Sequence, residues 1–477
     1  MKTIRTIVKA LHESDVEKIS SSFYRDSDKV ALLFEMLLSD VADDDIREIL
    51  GLSANAYSTL RSRLHTKVQN HLIALTDSPR ADVLNKLLGI DDIIFTQTPT
   101  IALTTLKKLE RELIRFDLSN ELTVVYKYLK KLHLNTDQYF HYSQLYNRHV
   151  AYSLALDKAE DLLAKYFKGY GYYYVMGDTS KKVELTAIFE EMKNVCALYQ
   201  SHRMFVYFAV LQITHQLFVD ENAYEKYNLE PIEDVLAQVD ETFRKYPKDD
   251  IYIHLHLLFN YIRFEYYYKH GIIAKAKVHL NEVNRQLPKL LIHYENYSFP
   301  AQFLIGSHQL LFKGQIDHRE FDSNKLFDDF RIENVSTPAK VVYYIYRALT
   351  SYYYKDYANA AKWLFDLNNE VSFKEYPEML LEIKCLTAYI KFIQKDEILF
   401  KQNLTSAQRT LRIIGSENKP HLVAFVKLLS IMGSESRKNK EQKLLRQVEI
   451  IGQIQLDRFH PVLYLKLDAE YLLRLLF

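Results

Sequence analysis

The sequence is poor in glycine, with 11 glycines in 477 residues, whereas glycine makes up about 7% of average proteins. Loops that hold nucleotide phosphates need glycines at fixed spacings, because the backbone must approach the phosphates closely. The densest glycine cluster, Gly169, Gly171 and Gly177, has neither the P-loop nor the Rossmann spacing. The sequence therefore argues against nucleotide-binding enzymes of these two types.

Cysteine, net charge and long apolar runs are also scarce. Two cysteines, Cys196 and Cys385, cannot form a disulfide framework, which is typical of a reducing compartment. The 62 basic and 61 acidic residues nearly balance, so no strong overall field favours nucleic acid or anionic lipid. The longest uncharged apolar stretch, Met204–Val219, falls short of the ~20 residues of a spanning helix. We expect a cytoplasmic protein with no membrane segment and, because charges interrupt the N-terminal apolar positions, no secretory signal.

Residues for catalysis or metal binding do not converge in any local pattern. No G-x-S-x-G is present, and both cysteines lie on apolar helical patterns, where cysteine acts as a small hydrophobe. His254 and His256 are two residues apart and so point to different helix faces, while His141 and His149 lack a carboxylate or cysteine at ligand spacing. We therefore expect no enzyme, no metal site and no other cofactor.

Apolar residues recur almost everywhere at three- and four-residue steps, which is typical of helices. In 337–355, for example, Val341, Ile345, Ala348 and Tyr352 follow this period. Seven of the ten prolines precede such a run, where proline costs no hydrogen bond. The stretch Gly169–Lys182 interrupts the pattern, either as a hinge or, as we prefer, as a helix end with a glycine cap. The sequence predicts an all-α fold.

The second half of the chain predicts helix pairs whose first members start about 40–45 residues apart. The predicted helices are 249–270, 272–287, 294–314, 317–331, 337–355, 357–369, 377–395, 397–414, 418–434, 438–456 and 460–476. An internal match supports this period, because Tyr267, Tyr268 and Ala276 realign with Tyr352, Tyr353 and Ala361 85 residues later.

Residues 341–368 resemble a tetratricopeptide-like repeat. The matching positions are Tyr344, Ala348, Asp356-Tyr357, Ala360 and Leu364. Residues 257–284 match at Tyr267, Gly271, Ala276 and Leu280, but Phe264 stands where the family keeps a small residue. The resemblance spans 249–415 and implies an α-solenoid, a right-handed superhelix of helical hairpins whose concave face binds a protein or peptide.

The resemblance also implies which positions face a bound partner: Tyr261, Glu265, Tyr268, Lys269, Ile345, Leu349, Tyr352 and Tyr353. Tyrosine is abundant, with 36 residues, and clusters at 170–174, 266–268 and 352–354. The rings could line a groove for a peptide, pack between hairpins as ordinary core, or stack on the bases of single-stranded nucleic acid. The missing basic groove argues against the last of these.

The N-terminal stretch 28–75 predicts three helices, Asp28–Leu38, Asp43–Leu50 and Asn55–Leu75, and resembles a helix-turn-helix. Gly51 permits the turn, Ser53 can cap the next helix, and the expected buried positions are Ile46, Ile49, Leu50, Tyr57, Leu60, Leu64 and Val68. DNA binding would use Asn55, Ser58, Arg61, Ser62, Arg63 and Lys67. Five basic and seven acidic residues in this stretch disfavour DNA, because phosphate contacts need positive charge.

These patterns predict three regions: an N-terminal helical module at 1–90, the first half of a helical array at 91–248, and tetratricopeptide-like hairpins at 249–477. Hairpin stacks offer extended surfaces for binding more often than sites for catalysis. We therefore expect a non-enzymatic scaffold for a protein or peptide. The alternative is a transcriptional regulator that binds DNA through the helix-turn-helix and senses a ligand through the repeats.

Overall fold

The computed structural model describes residues 3–9, 11, 13–23, 28–74, 79–246, 250–293, 306, 332, 335–417, 419–434, 439–454 and 458–476. These residues form helices and no strand, so the predicted all-α fold is confirmed. The chain divides into two compact units, Met1–Leu109 and Glu110–Phe477. The predicted region boundaries after residues 90 and 248 stay predictions.

The helices of the first unit, with the last one crossing into the second, are α1 Thr3–Lys9, α2 Glu13–Ser22, α3 Asp28–Leu38, α4 Asp43–Ile49, α5 Ala54–Ala74, α6 Pro79–Leu88, α7 Ile90–Thr96 and α8 Pro99–Arg115. The predicted stripe on α5 is buried, at Tyr57, Leu60, Leu64 and Val68. The expected burial of Ile49 is wrong, because its side chain is 63% exposed. α4 has only two turns, and Ile46 is its only buried residue; Leu50, which follows the helix, is buried as well.

The second unit continues as consecutive helices: α9 Ser119–Leu132, α10 Gln138–Tyr174, α11 Lys181–Leu198, α12 His202–Phe218, α13 Ala223–Tyr227, α14 Ile232–Lys245, α15 Asp250–Lys269, α16 Ile273–His293, α17 Thr337–Tyr353, α18 Tyr357–Glu370, α19 Pro377–Ile393, α20 Glu397–Ile414, α21 Pro420–Met432, α22 Lys440–Gly452 and α23 Ala469–Leu476. Sequence neighbours pack as pairs, notably α9 with α10, α15 with α16, α17 with α18, α19 with α20, and α21 with α22. The arrangement is a solenoid-like helical repeat, as predicted.

Two of these pairs are close copies. α17 and α19 begin 40 residues apart, and so do α18 and α20. Each pair turns through a lysine with positive φ, Lys355 at 62° and Lys395 at 60°. The following aspartates, Asp356 and Asp396, then cap the second helix by accepting a backbone N–H at 3.1 Å, which stabilises the helix start. The predicted repeat period is confirmed here.

The stretch Gly169–Lys182 is the end of α10 followed by a turn, so the preferred interpretation as a helix end is confirmed. Gly177 has a φ of 74°, which glycine adopts at little cost. Gly171 lies inside the helix, and a Cβ there would lie 3.2 Å from Cβ of Pro338. The missing side chain therefore lets α10 approach the start of α17.

Two predicted helices, 294–314 and 317–331, lie outside the described residues apart from Gly306. The predicted helix 460–476 is wrong, because the chain forms a short 3-10 turn at Pro461–Tyr464 and resumes as α23 only at Ala469. Several backbone groups that a helix would pair internally bind other helices instead, as described below. None of the described helices combines the length and apolar character that crossing a membrane requires.

Candidate functional site

Residues 458–466, called the C-terminal segment from here on, lie against several helices of the second unit. Phe459, Val462 and Leu465 are buried, although the segment has little regular structure of its own. An irregular buried backbone must find hydrogen-bond partners outside itself. The outside partners come from α10, α17 and α19, which together hold the 3-10 turn and the residues on either side of it.

Two backbone N–H groups of the segment donate to two of these helices, while those of Leu463 and Leu465 donate within the segment. The N–H of Phe459 donates to the carbonyl oxygen of Tyr174, at the end of α10, at 3.1 Å. The N–H of Val462 donates to Oε2 of Glu382 on α19, also at 3.1 Å. The carboxylate of Glu382 thus satisfies an amide at the start of the 3-10 turn.

Tyrosine hydroxyls hold the carbonyl groups of the segment. The hydroxyl of Tyr353, on α17, donates to the carbonyl oxygen of Tyr464. The hydroxyl of Tyr389, on α19, donates to the carbonyl oxygen of Lys466 at 3.3 Å. A tyrosine suits this task because its ring packs in the core while its hydroxyl reaches a polar group.

Two side chains of the segment, Arg458 and Tyr464, interact with particular residues of the surrounding helices. The Arg458 guanidinium forms an ion pair with Glu378 on α19 at 2.7 Å, and both side chains are mostly buried. Burial raises the pKa of Tyr464, and the charges of Glu265 and Tyr268 on α15 raise it further. The segment is therefore bound by α10, α17 and α19 and also feels the charges of these two α15 residues.

A buried cluster of Glu382, His421 and His460 lies at the centre of this region. Oε1 of Glu382 is 3.0 Å from Nε2 of His421, in the first turn of α21, and 3.2 Å from Nδ1 of His460 in the segment. The two imidazole centroids are 3.8 Å apart. Burial opposes ionisation of Glu382, but the hydrogen bonds from the two histidines outweigh it and lower the pKa of Glu382 to about 2.

The structure separates the eight predicted partner-binding residues into two groups. Tyr261, Ile345, Leu349 and Tyr352 are buried in the core, so they have no exposed surface to offer a second molecule. Of the others, Lys269 forms an ion pair with Glu221 at 2.6 Å. Of the remaining three, Tyr353 donates to the carbonyl oxygen of Tyr464, and the charges of Glu265 and Tyr268 raise the pKa of Tyr464. Binding of a partner by these eight residues stays a prediction.

Glu265 carries a perturbed carboxyl group at this site. Burial raises the pKa of Glu265 to about 7, although a hydrogen bond from the hydroxyl of Tyr261 and the charge of Lys269 act in the opposite direction. The hydroxyl of Tyr261 donates to Oε1 of Glu265 at 2.8 Å. The charge beside Tyr464 therefore changes near neutral pH.

The predicted DNA-binding residues lie on α5. Asn55, Ser58, Ser62 and Arg63 are exposed. Arg61, however, is bound within the first unit, because its guanidinium donates to Oδ2 of Asp43 at 2.6 Å.

The ammonium group of Lys67 lies 5.6 Å from the ring centroid of Phe23. Asp43 also accepts from Arg5 at 2.7 Å and from the hydroxyl of Tyr57 at 3.1 Å. Burial opposes ionisation of Asp43, but these partners and the charge of Arg61 outweigh it and lower its pKa. The predicted cap is present, since Oγ of Ser53 accepts from the N–H of Ala56 at 3.3 Å.

Sequence reasoning missed the residues that hold the segment: Glu378, Glu382, Tyr389, His421 and His460. One signal was available, because Glu382 interrupts an apolar stretch of a helix, and a buried carboxylate needs partners. The histidines gave none, since they lie 39 and 78 residues away from Glu382. The sequence led us to expect no metal site, yet the structure brings together these three residues of the types that bind metals, Glu382, His421 and His460.

The described chain is thus an all-α helical repeat protein whose helices hold the C-terminal segment of the same chain. Comparisons with family models, with curated proteins and with solved structures found no match to it.

Proposed function

We propose that this chain is a non-enzymatic scaffold that binds a short segment of another protein on the helix surface that now holds the C-terminal segment. The observation that carries the proposal is the set of bonds from α10, α17 and α19 to the backbone of residues 459–466. The resemblance of 341–368 to tetratricopeptide-like repeats supports the same function, because those repeats bind peptides along their first helices.

The contacts indicate what such a partner looks like. Bonds to backbone N–H and carbonyl groups tolerate many sequences, while pockets for side chains supply the selection. Glu378 favours a basic residue at the position of Arg458, because the two form a mostly buried ion pair. The surroundings of Tyr464 favour an aromatic residue six positions later. A partner segment with this pattern would compete with the C-terminal segment for the same surface.

DNA binding, the alternative expected from the N-terminal helix-turn-helix resemblance, has no observation in its favour. Arg61 is bound to Asp43, and the three aspartates in the first turn of α4 would repel a phosphate backbone. The scaffold proposal therefore rests on the second unit alone.

The test uses a fluorescein-labelled synthetic peptide with the sequence of residues 458–468, RFHPVLYLKLD, in an anisotropy titration. The full chain with Arg458→Glu and Val462→Asp has a weakened C-terminal segment, because a like charge faces Glu378 and a charge enters the site of a fully buried valine. We expect this variant to bind the peptide at least about tenfold more tightly than the wild type, since tenfold requires only about 1.4 kcal/mol.

A peptide of reversed sequence is the control, and the fluorescence of Trp363 reports whether the second unit of the variant is folded. No binding by a folded variant would contradict the proposal. Equal binding of the forward and reversed peptides would contradict it as well, because the surface would then select no sequence.

A further inference from the structure

We infer that Glu382, His421 and His460 form a binding site for one divalent transition-metal cation of the zinc type. These residues are the only group of three ligand-type side chains within reach of one cation among the residues that the structure describes. Their ligand atoms all lie within 4.8 Å of one another. This inference does not depend on the scaffold function proposed above.

The donor set selects the class of cation. Two imidazole nitrogens and one carboxylate oxygen form the set that zinc uses where it keeps a fourth position open. Imidazole is a poor ligand for magnesium and calcium, which prefer oxygen. The site therefore suits zinc and its cobalt substitute.

The distances are close to those that a bound cation needs. Bonds of about 2.0–2.2 Å from zinc to nitrogen and oxygen place tetrahedral ligand atoms about 3.4 Å apart. Oε1 of Glu382 is 3.0 Å from Nε2 of His421 and 3.2 Å from Nδ1 of His460. Shifts of a few tenths of an ångström bring these two separations to the required value, and the two histidine ligand atoms lie within 4.8 Å of each other.

The surroundings hold the ligands in place. The second oxygen of Glu382 accepts the N–H of Val462 at 3.1 Å, and outer hydrogen bonds of this kind fix the orientation of a metal-binding carboxylate. All three residues are at least 96% buried, so little water competes for the ion. The ligands come from α19, α21 and the C-terminal segment, and a bound cation would fasten the segment to both helices.

The competing explanation is a hydrogen-bond network with no ion. Two substitutions separate it from a metal site, because an amide nitrogen replaces the contacting ring nitrogen in each. Asn in His460→Asn places an N–H near the position of Nδ1, and Gln in His421→Gln places one near the position of Nε2. Each keeps a donor to Glu382 but supplies no metal ligand. His270→Ala, at an exposed histidine after α15, is the matched control.

The experiment titrates Zn²⁺ or Co²⁺ into the full chain after removal of metals with a chelator. Bound metal is counted by mass spectrometry, and calorimetry gives the affinity. We expect one equivalent of bound cation for the wild type and for His270→Ala, and a rise in melting temperature with added Zn²⁺. We expect His421→Gln and His460→Asn to bind at least about 10- to 100-fold more weakly.

The coordinated Co²⁺ gives a visible absorption spectrum whose intensity reports its coordination geometry. A folded wild type that takes up no cation and shows no change in melting temperature would overturn the inference. Unchanged affinity in both isosteric variants would also overturn it, because the cation would then bind elsewhere.

Discussion

Replacing Glu382 with alanine tests how the C-terminal segment is held. The carboxylate of Glu382 accepts three hydrogen bonds, from His421, His460 and the N–H of Val462, and alanine leaves these three buried donors without an acceptor. An unsatisfied buried donor costs about 1–3 kcal/mol, and breaking a buried charged pair costs about 3–5 kcal/mol. Since three donors in one cluster share their losses, we expect Glu382→Ala to lower the free energy of unfolding by about 3–5 kcal/mol.

The single tryptophan allows this change in unfolding free energy to be measured in the second unit alone. Trp363 is the only tryptophan of the chain and lies on α18, where its ring packs near Tyr343 and Tyr344. Urea unfolding followed by its fluorescence, in metal-free buffer, gives the stability of this unit. Glu449→Ala, at an exposed position of α22, is the control and should change stability by less than about 0.5 kcal/mol. A loss below about 1 kcal/mol for Glu382→Ala would refute the reasoning, because the segment would then be held by packing alone.

Three further predictions address other parts of the chain. The folded-state pKa of Glu265, about 7, lies above its ordinary value of 4.5, so the folded chain binds this proton more tightly than the unfolded chain. The unfolding free energy should therefore fall by about 3 kcal/mol as the pH rises from 4.5 to 7, and urea unfolding of Glu265→Gln should lack this change. The pKa of Asp43 is lowered, so its effect on stability depends on pH in the opposite direction. Asp43 stabilises the folded chain above pH ~4, and this stabilisation is lost as the pH falls through the folded-state pKa. Asp43→Asn should cost the first unit about 1 kcal/mol at pH 7, since a carboxylate 41% exposed is screened by water; equal hydrogen exchange of α5 in both proteins at pH 7 would contradict this. Gly177→Ala should cost about 1–3 kcal/mol, because φ is 74° and the new Cβ would collide with the Arg458 guanidinium. Gly452→Ala, where a Cβ meets nothing within 4 Å, should be neutral or stabilising in the same urea assay.

The helices and the buried stripes could be predicted from the sequence because they depend on local periodicity. Tyr57, Leu60, Leu64 and Val68 recur at helical spacing and are buried. The 40-residue repeat of α17 and α19 is likewise carried by short-range signals, since proline starts both helices and an aspartate caps both partners. These features need no knowledge of distant contacts.

The C-terminal segment could not be predicted because its conformation is set by distant residues. Pro461 reads as a helix start, and the apolar pattern after it continues the helical period. The N–H of Val462 is instead taken by Glu382, 80 residues earlier, and the carbonyl of Tyr464 by Tyr353, 111 residues earlier. Tertiary contacts of this range leave no periodic trace in the sequence.

The candidate site was predicted only in part for the same reason. The repeat resemblance pointed to Tyr353, which bonds to the carbonyl oxygen of Tyr464, and to Glu265 and Tyr268, whose charges raise the pKa of Tyr464. It gave no indication of His421 and His460, whose ring centroids lie 3.8 Å apart although they belong to different elements. Residues that meet only because the helices of a repeat array stack cannot be grouped from the sequence alone.

The most direct test of the central claim is photo-crosslinking of the synthetic peptide 458–468 with benzophenone in place of the ring of Tyr464. The peptide is mixed with the full chain that carries Arg458→Glu and Val462→Asp, and crosslinked residues are mapped by mass spectrometry. The account predicts crosslinks to α15 near Tyr268 and to α17 near Tyr353, suppressed by unlabelled peptide. Crosslinks confined to the first unit, or unaffected by competitor, would contradict it.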